Sequence, residues 1–147
     1  MSALTPAWLP VSWAGNFPGM SREDRTLWRR YLRDHAHEWD AFAYNVTVGG
    51  LDCELPDVHA EVAAHWRYCT AKRIDALALK DGRPTIVEVR YQAGVSAAGS
   101  LLVYRELYHE LVPPPPRAGL LLITDDIAPD TERACRALGI PTVRVPE

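Results

Sequence analysis

The chain has 147 residues, 48% apolar and 24% charged, with a formal net charge of −3 and a pI near 5.9. That length can bury one sizeable core, and the acidic balance excludes capture of nucleic acid by a global positive field, so any such contact has to be local. Three cysteines (Cys53, Cys69, Cys135) in no framework spacing point to a reducing compartment, cytoplasmic or particle-associated rather than secreted. No apolar run approaches the roughly 20 residues of a membrane span, and the proline-broken start lacks the positive region of a signal peptide.

Residues 1–20 carry no charged side chain and hold Pro6, Pro10 and Pro18, which argues against regular structure. Trp8, Trp13 and Phe17 are nevertheless large apolar groups that seek burial. The segment is expected to be an irregular arm that either wraps its own domain or docks on a neighbouring subunit through those three aromatics.

From Ser21 to about His37 the pattern predicts a helix. Ser21 can cap it, Glu23 and Asp24 sit in its first turn, and Leu27, Trp28, Tyr31 and Leu32 form an apolar stripe. Arg25, Arg29 and Arg33, with Arg22 and Arg30, form a basic surface that is either a phosphate-binding face or simply solvated. Phe42 to Val48 alternates as a half-buried strand, Phe42, Tyr44, Val46 and Val48 against Ala43, Asn45 and Thr47, ending at Gly49-Gly50. Residues 51–58 read as a loop. Val58 to about Cys69 reads as a short helix with Val62, His65, Trp66 and Cys69 on one side. His59, His65 and Cys69 are too few for structural zinc, so a buried His and Cys beside Trp66 is the expectation.

Next comes a hairpin. Arg73 to Leu79 and Pro84 to Arg90 flank Asp81-Gly82, a strong two-residue turn signal. A two-residue loop sets Asp75 directly opposite Glu88, with Cβ atoms about 4.5–5.5 Å apart. Period-2 alternation then places Arg73, Asp75, Leu77, Ile86, Glu88 and Arg90 on one face. It places Ile74, Ala76, Ala78, Thr85, Val87 and Val89 on the other, with Lys72 and Lys80. Two like charges side by side on an apolar hairpin destabilise it unless something compensates. After it, Ser96 can cap a helix to about Val112, stopped by Pro113–Pro116. Residues 117–124 form a continuously apolar buried strand. Pro129 and Gly139 bracket a last helix, and residues 142–145 form a last strand. The order implies a mixed sheet with helices on both faces and right-handed crossovers.

This order, with Asp75 on one hairpin strand and Glu88-Val89-Arg90 on the next, resembles the restriction-endonuclease-like PD-(D/E)xK nuclease superfamily over roughly residues 21–147. The resemblance implies an α/β fold with a mixed sheet flanked by helices, and a divalent cation, usually magnesium, held by Asp75 and Glu88. Magnesium suits such a site because it takes one or two carboxylates plus waters and phosphate oxygens. Ile74 stands where the motif has proline, and Arg90 stands where it has lysine. Arginine is planar and does not deprotonate, so it cannot stand in for a lysine that orients the attacking water. Ser100 occupies the place of a glutamine found in many relatives. An upstream acidic ligand falls on Glu23, Glu38 or Glu61.

The competing account of the four charges is a metal-free network, in which Arg73 and Arg90 neutralise Asp75 and Glu88 and fix the register. Two functions follow. In one, the site is degenerate and the chain has a structural or assembly role as a homo-oligomer or within a larger protein assembly, such as an adaptor or connector of a phage particle. In the other, it is an active magnesium-dependent DNA nuclease whose phosphate contacts come from Arg25, Arg29, Arg33, Arg73 and Arg90.

Overall fold

A computed structural model describes residues 4–147; the first three residues of the arm lie outside it. The chain runs α1 (Arg22–His35), a short 3-10 turn (Ala36–Glu38), β1 (Ala41–Val48), α2 (Ala60–Thr70), β2 (Lys72–Lys80) and β3 (Arg83–Val89). It continues with α3 (Val95–Leu111), β4 (Gly119–Thr124), α4 (Pro129–Ala137) and β5 (Thr142–Arg144). The strands form one five-stranded mixed sheet in the order β1-β2-β3-β4-β5. Its first three strands are antiparallel, and β4 and β5 join parallel to β3.

Helices cover both faces. On one face Leu77, Ile86, Leu120 and Leu122 pack with Ala97, Leu101 and Tyr108 of α3 and Cys135 of α4. On the other, Ala76, Ala78, Val87, Val89, Leu121 and Ile123 pack beneath Leu27, Trp28 and Tyr31 of α1. β4 supplies both layers, which is why its sequence is apolar without alternation. Ser21 caps α1 as expected, its Oγ accepting from Asp24 N at 3.1 Å. Ser96, by contrast, lies inside α3, whose cap is Gly94 with no side-chain bond.

The arm turns back on its own domain. Leu9 exchanges two main-chain bonds with Phe42 of β1, at 2.7 and 3.0 Å. Phe17 is buried, Trp13 packs against both Phe17 and Tyr44, and Trp8 rests on the α3-side core. Of the two roles expected for the arm, the structure shows it wrapping its own domain: Phe17 is buried in the core, and Trp8 and Trp13, partly buried, pack against it.

The hairpin forms in the expected register, with Leu77 opposite Ile86 and Lys80 opposite Arg83. Asp81 and Gly82 both take positive φ, 50° and 79°, as a tight hairpin turn requires. Its faces differ from strict alternation. Ile74 joins Leu77 and Ile86 on the α3 side, where Val46 and Val48 also lie, whereas Phe42 lies on the α1 side. The side-chain alternation of β1 and β2 slips together, between Tyr44–Ala76 and Val46–Ile74, at Asn45 and Asp75. Asn45 takes φ 51°, a left-handed conformation that asparagine tolerates better than most residues. Lys72 lies beyond this slip, so alternation along β2 does not place it on the face opposite the carboxylates.

Candidate carboxylate site

The site lies where the β2–β3 ladder stops. The last paired residues are Ala76 and Val87. One residue further, the Asp75 side chain replaces a main-chain acceptor, its Oδ2 receiving Val89 N–H at 2.9 Å. β3 itself continues pairing with β4 on its other side, Arg90 N donating to Ile123 O at 2.9 Å. The local sequence thus ends one ladder on an aspartate while keeping Glu88 rigid within the other.

Glu88 is only 3% exposed. Arg90 Nη2 donates to its Oε1 at 3.1 Å, whereas its Oε2 is buried without a hydrogen-bond partner among the described residues. The Asp75 and Glu88 carboxyls are neighbours whose charges oppose each other. Burial pushes Asp75 up to about 8, and the charge of Glu88 adds to it against the opposing Val89 bond. Burial also raises Glu88, opposed by its bonds to Asp75 and Arg90. Both shifts favour retention of a proton by the two carboxyls, a property of the pair jointly.

Three neighbours complete the site. Asp24, in the first turn of α1, accepts Tyr91 N–H at 2.8 Å, and its charge raises both Asp75 and Glu88. On α3, Tyr104 is raised by burial first and then by the charge of Glu88, with Ser100 one turn away acting in the opposite direction. Arg22, Glu23, Thr26, Arg30, Tyr91 and Asp125 border a cleft of about 220 Å³ at the same end of α1.

Asp75, Glu88 and Arg90 come together, but Asp75 and Glu88 are not the directly opposed ladder pair expected: pairing ends at Ala76–Val87, and the Asp75 side chain accepts from Val89 N–H instead. Arg73 does not join them. Past the slip at Asp75 its guanidinium lies 4.2 Å from the Tyr68 ring and donates to Tyr68 O near the C-terminus of α2, a helix end that favours a cation. The four-charge network is therefore not formed. Among the other arginines, Arg29 lies over the Phe17 ring, Arg33 pairs with Asp34, and Arg25 follows Asp24 on α1.

Of the candidates for the upstream acid, Glu23 borders the cleft beside α1, Glu38 pairs with His35 and Glu61 is exposed on α2; Asp24 is the α1 carboxylate whose charge raises both Asp75 and Glu88. The sequence marks Asp24 as a first-turn residue of α1 and gives Tyr104 no separate signal beyond its i, i+4 spacing from Ser100. His65 and Cys69 are in contact at 3.4 Å, but both are exposed, against the expectation of burial. Among the described residues no group of three or more His, Cys, Asp or Glu can hold a metal ion, and no helix is long and apolar enough to cross a membrane.

The fold is thus α/β with a five-stranded mixed sheet flanked by helices. No protein-family model matches the chain, and no curated protein matches it. It is similar in fold to the solved structure of a protein of unknown function, AF1548, with a TM-score of 0.50 and 14% identity. The similarity covers 82% of this chain and 55% of that one.

Proposed function

We propose that this chain has a restriction-endonuclease-like fold and that Asp75 and Glu88 form a divalent-cation site for phosphodiester hydrolysis in DNA. The observation that carries the reading is the buried juxtaposition of two carboxyls, the charge of Glu88 raising Asp75, with Glu88 Oε2 buried and without a hydrogen-bond partner among the described residues. Without a cation that arrangement favours retention of a proton; a hard cation satisfies the same oxygens. Two protein carboxylates are a sufficient set for magnesium, which keeps waters and takes phosphate oxygens. When bound, such an ion polarises a phosphoryl oxygen and acidifies water.

The chain's own residues have separable tasks. Val89 N–H orients the Asp75 carboxylate. Arg90, held by Glu88 yet 36% exposed, neutralises phosphate charge but does not act as a base. Asp24 fixes the main chain after Arg90 through Tyr91 N–H and adds negative field. Arg22, Arg25 and Arg30 on α1 supply cations for the DNA backbone.

A second reading keeps the fold and drops the chemistry, leaving an assembly role such as a phage adaptor. It is favoured by Arg90, a guanidinium where the family motif has lysine, already engaged by Glu88. One experiment separates the two. Thermal unfolding is followed during titration with Mg²⁺ or Mn²⁺, alongside cleavage of supercoiled plasmid by the wild type and by Asp75→Ala. Metal-dependent stabilisation with cleavage, both lost in Asp75→Ala, supports the first reading. Neither effect in the wild type overturns it in favour of the second.

A further inference from the structure

Away from the carboxylates, α2 is unusual. It has 11 residues and buries none of them, and an isolated helix of that length is marginal in water. Its apolar side chains are displayed instead: Val62 is 57% exposed and Trp66 48%, with Leu51 and Leu55 of the preceding loop more exposed still. The loop and the helix enclose a groove of about 600 Å³ lined by Leu51, Leu55, Val58, Val62 and Trp66 together with Asp52, Cys53 and Glu54.

The groove is a built feature. Leu51 N donates to Thr70 Oγ1 at 2.7 Å, and Asp52 pairs with Arg67. Gly50, at φ 99°, lies so close to α2 that a Cβ there would fall 2.6 Å from Arg67 O. These contacts tie the loop to the C-terminal half of α2 and hold the groove open.

The charged side chains lining the groove, Asp52 and Glu54, are both acidic, Asp52 being met by Arg67. Residues 51–66 contain Asp52, Glu54, Asp57 and Glu61 and no Lys or Arg. We infer that the α2 groove is a docking site for a basic amphipathic helix of a partner protein. Such a helix would seat apolar residues at i, i+3/i+4 and i+7 in the groove, with flanking Lys or Arg against the acidic rim. A second copy of this chain fits poorly. A two-fold contact would bring the acidic rims together, and the apolar face of the arginine-bearing α1 is already buried against the sheet. An anionic membrane surface is disfavoured by the same charge.

The test uses two synthetic 18-residue peptides with the same leucine stripe, one flanked by lysines and one by glutamates, titrated against the full chain. The lysine peptide should bind saturably and weaken at least tenfold between 50 and 300 mM salt, while the glutamate peptide should not bind. Val62→Asp should weaken binding at least tenfold. The surface variant Glu54→Lys/Glu61→Lys, which leaves the apolar lining intact, should reverse the preference. Equal binding of both peptides, binding of neither, or concentration-dependent dimerisation abolished by Val62→Asp would overturn the proposal. None of these readouts depends on metal or cleavage, so failure here is separate from failure of the nuclease reading.

Discussion

Replacing Asp75 with asparagine tests the proton retention that the buried pair favours. In the folded chain the Asp75 carboxyl is pushed up to about 8 from an ordinary 3.8. The unfolded chain has released that proton by about pH 5, whereas the folded chain keeps it until about pH 8. Folding in this window therefore takes up a proton, and stability falls as pH rises. It is greatest below about pH 4, declines by about 1.4 kcal/mol per pH unit, and levels off above about 8. From pH 5 to 8 the ceiling is about 4 kcal/mol, or about 8–16 °C in Tm for a chain of this size. Asparagine keeps an acceptor for Val89 N–H, offers Glu88 a permanent donor, and does not titrate. Melting curves in EDTA at pH 5, 6, 7 and 8 should show a steeper decline for wild type than for Asp75→Asn, and the variant should be the more stable at pH 8. Parallel slopes would refute the shared-proton reasoning, because the other titrating groups are common to both proteins.

Divalent cation should compete with that proton, so saturating Mg²⁺ should raise the wild-type Tm more at pH 8 than at pH 6; at a hundredfold excess over Kd the gain is about 2.7 kcal/mol, read by the same melts. Asp24→Asn keeps an acceptor for Tyr91 N–H but removes a charge that raises both carboxyls, so its stability should depend less steeply on pH than that of wild type. Phe17→Ala should cost about 3–5 kcal/mol by chemical denaturation without changing the oligomeric state by light scattering, since Phe17 is 2% exposed within its own chain. Gly50→Ala should cost more than 1 kcal/mol in the same assay, because both its positive φ and its contact with Arg67 O oppose a methyl group.

The parts of the fold that were legible in the sequence were those with a local cause. Asp81-Gly82 specified the turn and hence the pairing of Leu77 with Ile86. Pro129 and Gly139 bracketed α4, and the unbroken apolar run of β4 declared a strand covered on both faces. That register brought Asp75 and Glu88 near each other, although their direct pairing is lost where the ladder ends. What escaped depended on events beyond the window being read. Period-2 alternation assumes an unbroken pleat, so the slip at Asn45 and Asp75 that carries Ile74 to the other face and Arg73 away to Tyr68 was invisible. Val62 and Trp66 have the spacing of a core stripe, and only the tertiary arrangement shows that both stay largely exposed among the described residues. Asp24 contributes through a main-chain bond 67 positions away, a distance over which no local pattern operates.

The strand-like crossing of Leu9 over Phe42 bears on how the protein behaves when concentrated. An open lateral strand offers a row of unmet amide and carbonyl groups on which another molecule can extend the sheet, and such growth is the usual route to fibrils. Here β1 is guarded by an uncharged, proline-punctuated segment of the same chain, and the opposite margin, β5, is only three residues long. Trimming residues 4–12 should therefore leave a chain that forms thioflavin-positive aggregates at concentrations where the intact protein stays clear.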